Sequence, residues 1–227
     1  MKLINLIFPK KCAACGEFTE GDVFCRICAS KYEQLKREPC KKCGNMHYLC
    51  RCRAEKLANE NKIGARHLFA YGGDMSKNII YKLKRKNLPS LQKFFAQELA
   101  GIIKDEIKSD REYIVTFAPR SKKSVREYGF DQAEILSKEC AKILSLPWDS
   151  AFERDRKANT QQKMLNAKER EENVKEAFSI YSETDLKGRT LILIDDVTTT
   201  GSTAASLCEL ALGEEADEIL FLSIAKT

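Results

Sequence analysis

The sequence predicts an α/β protein in which a parallel sheet is flanked by helices, with a small cysteine-rich domain at the amino terminus. Strand-like and helix-like segments alternate along most of the chain, as in parallel sheets. Residues 191–194 are four consecutive aliphatics, which is typical of a central strand covered on both faces. Eight of the ten cysteines lie between residues 12 and 52. We therefore expect a small domain at residues 1–55 and a larger one at residues 56–227, which the length of 227 residues accommodates.

The other elements are predicted from the periodicity of their apolar residues. Strands are expected at residues 66–71, 113–117 and 218–225. Helices are expected at residues 76–87, 91–108, 132–144 and 204–212. The last of these helices follows the aliphatic strand 191–194 after a short loop.

Two acids and a hydroxyl-rich loop come directly after the aliphatic run. Asp195 and Asp196 are expected at the carboxyl end of the strand, where open α/β sheets bind ligands. The loop consists of Thr199, Thr200, Gly201, Ser202 and Thr203. Its hydroxyls, its glycine and the positive end of the following helix suit a phosphate group. The acids and the loop together predict a ligand that carries a phosphate and a diol.

Two other interpretations of this segment are weaker. Acids also end the magnesium strand of nucleoside triphosphatases, but the sequence lacks the Gly-x-x-x-x-Gly-Lys-Ser/Thr loop that accompanies that strand. A capped helix without a ligand needs only one hydroxyl and no acid pair.

The segment LILIDDVTTTGST (191–203) resembles the phosphoribosyl-diphosphate (PRPP) motif of type I phosphoribosyltransferases. The resemblance implies the fold of that family. It also implies that Asp195 and Asp196 bind the ribose hydroxyls as catalytic residues, and that the loop 199–203 binds the 5′-phosphate. Purine-salvage members carry an aspartate two residues before the glycine. Thr199 stands there in this chain, which disfavours purine salvage.

The amino-terminal cysteines occur in four close pairs: Cys12 and Cys15, Cys25 and Cys28, Cys40 and Cys43, Cys50 and Cys52. A two-residue spacer lets both sulfurs face one tetrahedral ion, so the pairs predict two structural tetrathiolate zinc sites. We favour sequential pairing, because each set of four then closes within a short loop. A disulfide framework is the alternative, and it is disfavoured because no secretion signal is apparent.

The fourth pair has a spacer one residue shorter than the others, so His47 is an alternative ligand there. An exposed, uninvolved His47 is the favoured interpretation. Cys140 and Cys208 fall within helical patterns and are expected to be small core residues.

The charge distribution follows the predicted domain boundary. Residues 1–53 hold 11 Lys and Arg and 5 Asp and Glu, which accounts for the whole formal net charge of +6. Two zinc ions bound by eight thiolates would reduce this excess to about +2. Global charge therefore gives no argument for nucleic acid binding. The apolar run near the start of the chain is too short for a membrane span, so we expect no membrane insertion and a cytoplasmic protein.

Two further segments resemble the signature stretches of the ComF family: APRSKKSVREYGFDQAEIL (118–136) and RKANTQQKMLNAKEREENVKEAF (156–178). In that family a phosphoribosyltransferase-like domain carries an amino-terminal zinc ribbon and takes part in DNA uptake during natural transformation. Ser124, Tyr128 and Asp131 depart from the usual family residues. The resemblance implies PRPP and magnesium as ligands, and single-stranded DNA or a competence DNA translocase as partners.

Arg120, Lys122 and Lys123 are expected in a loop after the strand 113–117, at the same sheet edge as the acids. They predict a pyrophosphate site, with a solvated basic loop as the alternative. Residues 154–168 mix charges and amides and are predicted to form a mobile lid over the ligand.

Two functions follow from this sequence. One is displacement at ribose C1 of PRPP, with magnesium bridging pyrophosphate and ribose oxygens and with the acceptor undefined. The other is a non-catalytic module that holds PRPP or a nucleotide and binds DNA through its basic clusters. These clusters lie at residues 82–86 and 120–126 and at Lys36, Arg37, Lys41 and Lys42.

Overall fold

The computed structural model describes residues 10–21, 23–54, 57, 61–154, 178–181 and 183–227. Its strands are β1 (Ile63–Ala70), β2 (Tyr113–Phe117), β3 (Phe152–Arg154), β4 (Phe178–Ile180), β5 (Thr190–Thr198) and β6 (Glu218–Lys226). Its α-helices are α1 (Arg26–Arg37), α2 (Asp74–Arg85), α3 (Pro89–Glu106), α4 (Lys122–Tyr128), α5 (Gln132–Leu144) and α6 (Ser202–Gly213), and His47–Leu49 form a 3-10 turn.

Four strands form the central sheet in the order β1-β6-β5-β2, and every pairing in it is parallel. The predicted α/β class with a parallel sheet is thereby confirmed. β3 and β4 form a separate antiparallel pair. With three residues each, these two strands are too short to show periodicity, which explains why the sequence did not predict them.

The boundaries of β2 and α5 are those predicted, and α2 and α3 begin two residues earlier than expected. β5 runs beyond the aliphatic residues and includes Asp195 and Asp196 near its carboxyl end, where they were expected. β5 continues to Thr198, because its pairing with β6 extends past Asp195, which lies opposite Ser223, to Thr198, which lies opposite Lys226. The acid pair therefore lies inside the last part of a paired strand and is held by ladder hydrogen bonds.

Two apolar cores cover the two faces of the sheet. Residues 191–194 of β5 are fully buried, and their side chains alternate between the two cores. One core lies under α2, α3 and α5 and the other under α6, β3 and β4. Parallel strands need such cover on both faces, and the site described below lies where the strands leave it.

The amino-terminal segment packs onto the first of these cores. Tyr32 of α1 stacks on Phe24 at a centroid distance of 5.4 Å, and both rings meet Phe94 of α3 edge-on at 5.3 Å. The Tyr32 hydroxyl donates to Glu98 of α3 at 3.0 Å. The boundary predicted near residue 55 thus separates two sequence segments whose side chains share one core.

Among the helices in the described part of the chain, none combines the length and the apolar character that crossing a membrane requires.

Candidate ligand site and cysteine clusters

The eight amino-terminal cysteines gather into two groups in the order of the sequence. The first cluster is Cys12, Cys15, Cys25 and Cys28, and the second cluster is Cys40, Cys43, Cys50 and Cys52. Within each cluster all sulfurs lie within 4.8 Å of one another, and the Cys15 and Cys25 sulfurs are 3.9 Å apart. A tetrahedral zinc ion with Zn–S bonds of about 2.3 Å separates its sulfurs by about 3.8 Å. The donor atoms and their spacing support a structural zinc site in each cluster.

The same local turn builds both clusters. The N–H of Gly16 donates to the carbonyl of Cys12 at 3.0 Å, and the N–H of Gly44 donates to that of Cys40 at 2.8 Å. Both glycines have positive φ, 85° and 75°, which residues with a Cβ rarely adopt. Burial opposes ionisation of Cys12 and Cys40, but backbone N–H donors outweigh it and lower each thiol pKa to about 6. The turn thus prepares a thiolate for metal binding.

His47 is not a member of either cluster, but the expectation that it is exposed is wrong. Its ring is buried against that of His67 on β1, with centroids 5.5 Å apart. The 3-10 turn that begins at His47 places the ring on the sheet. No local sequence pattern predicts this contact. Cys52 completes the second cluster despite its short spacer. Cys140 and Cys208 are fully buried, which confirms them as core residues.

The acid pair lies at the carboxyl edge of the sheet, and its two members have different surroundings. Asp196 is buried, with 6% of its surface exposed, and one of its oxygens lies 3.1 Å from Lys84 Nζ of α2. Its other oxygen accepts a hydrogen bond from Nε2 of Gln132, the first residue of α5. Both oxygens of Asp196 are therefore bonded to protein groups.

Asp195 is half-buried and faces away from Lys84, as alternation along a strand requires. Burial and the neighbouring Asp196 charge raise the pKa of Asp195 to about 8. Burial also lowers the pKa of Arg154 in β3, and the Asp195 charge opposes that shift. Each acid thus has a cation on its own side of the sheet: Lys84 for Asp196 and Arg154 for Asp195.

The predicted phosphate loop connects β5 to α6. Thr199 and Thr200 are exposed, while Ser202 and Thr203 form the first turn of the helix. Gly201 is the N-cap of α6, with a φ of 84° and no side chain, and the N–H of Ser202 donates to the Thr200 hydroxyl at 3.4 Å. Because the N-cap has no side chain, the N–H groups of Thr203 and Ala204 in the first turn remain as donors for an anion. The loop therefore combines hydroxyls with the backbone donors of a helix start whose N-cap is a glycine.

Gly201 is required for a second reason. A Cβ added there would lie 2.7 Å from Cβ of Ala54, which follows the second cluster in sequence. Lys226, at the end of β6, holds the same segment by donating to the Cys52 carbonyl at 2.9 Å. The phosphate loop thus packs directly against the chain that leaves the second cluster.

The structure places Arg120 beside the acid pair, whereas Lys122 and Lys123 are exposed. Arg120 donates to Oε1 of Gln132 at 2.5 Å and to the Lys84 carbonyl at 3.1 Å. The expectation that Lys122 and Lys123 lie in a loop is wrong. They open helix α4, whose start is capped by the side chain of Ser121 accepting from the N–H of Ser124.

Three residues near the acids were missed as site residues: Lys84, Gln132 and Arg154. Lys84 appeared only as part of the basic cluster 82–86, and Gln132 is uncharged and stands at a helix start. The predicted lid 154–168 lies outside the described residues except for Arg154, and the signature stretch 156–178 lies outside them except for Phe178.

A column of two tyrosines and two arginines, of which Tyr81 and Arg85 are exposed, borders the site. The guanidinium of Arg85 lies 5.0 Å from the ring centre of Tyr81 and 5.6 Å from that of Tyr128. Arg120 lies 5.2 Å from the Tyr128 ring, so the column leads to the acid pair. The Tyr81 side chain is 55% exposed, which leaves its ring open to solvent.

Comparisons with known proteins found the following similarities. A family model for the double zinc ribbon domain matches residues 3–61. The chain is 26% identical over 213 residues to competence protein ComFC of Bacillus subtilis, a match covering 88% of this chain and 83% of that protein. It is 33% identical over 99 residues to DNA utilization protein YhgH of Escherichia coli (strain K12), which covers 44% of this chain and only 43% of that relative. Among solved structures, an adenine phosphoribosyltransferase is similar with a TM-score of 0.42 and 19% identity, over 61% of this chain and 71% of that one.

Proposed function

We propose that this chain, which belongs to the ComF family, binds PRPP with magnesium at the carboxyl edge of its sheet and acts in DNA uptake during natural transformation. The observation that carries the PRPP proposal is the position of Asp195 and Asp196 near the end of the strand that leads to the glycine-capped start of α6. The proposed role in competence rests on the family and on the name of the relative that matches 88% of the chain.

The carboxyl edge of the sheet offers a chemically suitable group for each part of PRPP. The 5′-phosphate suits the loop from Thr199 to Thr203, where backbone N–H groups and hydroxyls donate. The ribose hydroxyls suit the acid pair, because carboxylates accept hydrogen bonds from a diol. The pyrophosphate suits Arg120, with Lys122 and Lys123 at the exposed rim.

Pentosyl transfer is the reaction that this arrangement favours. Positive charge would develop on the ribose near Asp195 and Asp196, and negative charge on the departing pyrophosphate near Arg120. Magnesium held by the ligand oxygens and these acids would neutralise the pyrophosphate. A pKa of about 8 would let Asp195 carry a proton near neutral pH, which is useful for exchange with a ribose hydroxyl or an acceptor.

Calorimetric titration with PRPP and magnesium tests the binding proposal. Replacing Asp195 and Asp196 together with asparagine should weaken binding by at least ~1.5 kcal/mol, the lower range for a hydrogen bond to a charged group. Asp110→Asn at an exposed position serves as the control. Equal affinity in the double variant and the control would make the acid pair structural.

A second candidate function is a non-catalytic adaptor that binds single-stranded DNA or a DNA translocase. The column of Tyr81, Arg85 and Tyr128 favours it, since an exposed ring such as that of Tyr81 beside a guanidinium provides a stacking platform for bases. Lys82 and Lys84 contribute less than the sequence suggests. The Nζ of Lys82 lies 3.2 Å from the Cys12 carbonyl, and Lys84 is paired with Asp196.

Two measurements separate these functions. Pyrophosphate release from PRPP with a panel of bases, amines and oligonucleotides would identify an enzyme, whereas PRPP binding without turnover favours the adaptor. Fluorescence anisotropy with a labelled oligonucleotide tests DNA binding, and log K should fall with log salt by about 0.7 for each phosphate neutralised. Tyr81→Ala should weaken binding, whereas Tyr181→Ala, at another exposed tyrosine, should not.

A further inference from the structure

We propose that Gln132 is a positioning residue that couples the pyrophosphate subsite to the ribose subsite, so that binding at one strengthens binding at the other. This inference rests on the proposed PRPP site. It concerns the regulation of that site.

Gln132 lies between the two subsites and is fully buried. Its Nε2 donates to Asp196, and its Oε1 accepts from the Arg120 guanidinium at 2.5 Å. A carboxylate only accepts and a guanidinium only donates, so a neutral amide satisfies both at once. An apolar side chain of the same size would leave Asp196 and Arg120 each without this partner.

The amide belongs to a closed ring of contacts. Arg120 also donates to the Lys84 carbonyl at 3.1 Å, and Lys84 Nζ lies 3.1 Å from the second Asp196 oxygen. The Arg120 backbone N–H donates to Asp131, which caps the start of α5 just before Gln132. The backbones that carry the ring are thus anchored, which leaves the Gln132 amide and the Arg120 guanidinium as its adjustable members.

A ligand that binds here must replace hydrogen bonds of this ring. A ribose hydroxyl that donates to Asp196 has to replace a bond from Gln132 or Lys84, because both oxygens are already bonded. A pyrophosphate that engages the Arg120 guanidinium removes the donor from Gln132 Oε1. The amide can then turn so that Oε1 accepts from another donor, and this releases an oxygen of Asp196. Since breaking one bond of the amide lowers the cost of breaking the other, the two ligands should favour each other, and this coupling is reciprocal.

The test uses the full chain with its zinc and two separate probes, ribose 5-phosphate and inorganic pyrophosphate, in the presence of magnesium. Ribose 5-phosphate is titrated by calorimetry with and without saturating pyrophosphate. We expect pyrophosphate to tighten ribose 5-phosphate binding at least about fivefold, the lower range of ordinary coupling between sites.

Gln132→Met keeps the side-chain volume and removes both hydrogen bonds. In this variant each probe should still bind, and the coupling should fall to less than about twofold. Gln92→Met is the matched control, because Gln92 is a buried glutamine of α3 that contacts neither subsite residue in the hydrogen bonds of the described residues. It should keep the coupling of the wild type. If Gln132→Met fails to fold, Gln132→Glu replaces it, since it keeps an acceptor for Arg120 and loses the donor to Asp196.

The outcomes separate this inference from the proposed function. Failure of both probes to bind the wild type would contradict the PRPP site itself. Binding of both probes without coupling in the wild type would overturn the role of Gln132 while leaving the site intact. Coupling in the Gln132 variants equal to that in Gln92→Met would also overturn it.

Discussion

The two cysteine clusters are built by the same turn but are attached to the rest of the molecule in different ways. Cys12 and Cys28 of the first cluster belong to the apolar core that covers one face of the sheet, together with Phe24 and Tyr32. The second cluster lies outside both cores and touches the sheet at its carboxyl edge, beside His67 and the phosphate loop. We infer that the first cluster serves mainly the stability of the fold, whereas the second serves the geometry of the ligand site.

Removing a ligand from each cluster is the strongest test of this difference. Cys28→Ser should lower the free energy of unfolding by more than about 4 kcal/mol, the range of losses of a structural metal within a core. Cys50→Ser should lower it by about half as much, because its cluster is not part of either core. Chemical denaturation gives these values, and native mass spectrometry should count two zinc ions in the wild type and one in each variant. Equal losses of stability would remove the distinction between the clusters.

The contact between Ala54 and Gly201 joins the second cluster's segment to the phosphate loop, and substitutions there measure how strongly the two press on each other. Gly201→Ala should cost about 2 kcal/mol or more, because it adds a left-handed alanine and a clash with the Ala54 methyl. Gly129→Ala is the control, since Gly129 has a similar φ of 80° and nothing within 4 Å of an added Cβ. It should cost about 1 kcal/mol, the conformational part alone.

A double variant isolates the clash. Gly201→Ala is expected to lose more stability than Gly129→Ala, and adding Ala54→Gly should restore this additional loss. A double-mutant cycle measured by thermal or urea unfolding tests it. An additive result would mean that the segment beyond Cys52 does not press on the loop.

One lysine ties each cluster to the larger domain. Lys82 donates to the Cys12 carbonyl at 3.2 Å and Lys226 to the Cys52 carbonyl at 2.9 Å. Lys226→Met should lower stability by about 1.5 kcal/mol, with a smaller loss for Lys82→Met, whose hydrogen bond is longer. Only Lys226→Met should also weaken PRPP binding, because its segment supports the phosphate loop. Weaker binding in Lys82→Met of the same size would contradict the division of roles.

The pH dependence of stability gives the smallest expected effect. Burial and the nearby charges of Lys226, His47 and Arg66 lower the pKa of His67 to about 3. The unfolded chain therefore binds a proton near pH 6.5 that the folded chain does not, so this contribution to stability is present above that pH and is lost as the pH falls towards 3. Between pH 6.5 and 5.5 the loss should be about 1 kcal/mol.

Urea denaturation of the wild type and of His67→Gln over this interval measures the effect as a difference. Protonation of the thiolates affects both proteins, so it cancels. Identical slopes would show that His67 does not resist protonation in the folded protein.

The sequence by itself determined the zinc-binding turns and the central strand, which depend on neighbours along the chain. The cysteine spacing, with Gly16 and Gly44 after the second thiol of each turn, encodes the zinc-binding turns, because a few bonds set the distance between sulfurs. The run 191–194 and the acids after it predicted the central strand and its polar end in the same way. The aliphatic run does not show how far β5 extends, because ladder pairing with β6 depends on another strand.

The tertiary structure alone decided which side chains meet at the acid pair. Gln132 and Asp196 lie 64 residues apart in sequence. They touch because α5 packs on the sheet face from which the Asp196 side chain projects. The burial of His47 against His67 and the contact of Ala54 with Gly201 have the same origin. No periodicity encodes such contacts, since each depends on how elements with different local patterns bury their apolar faces against one another.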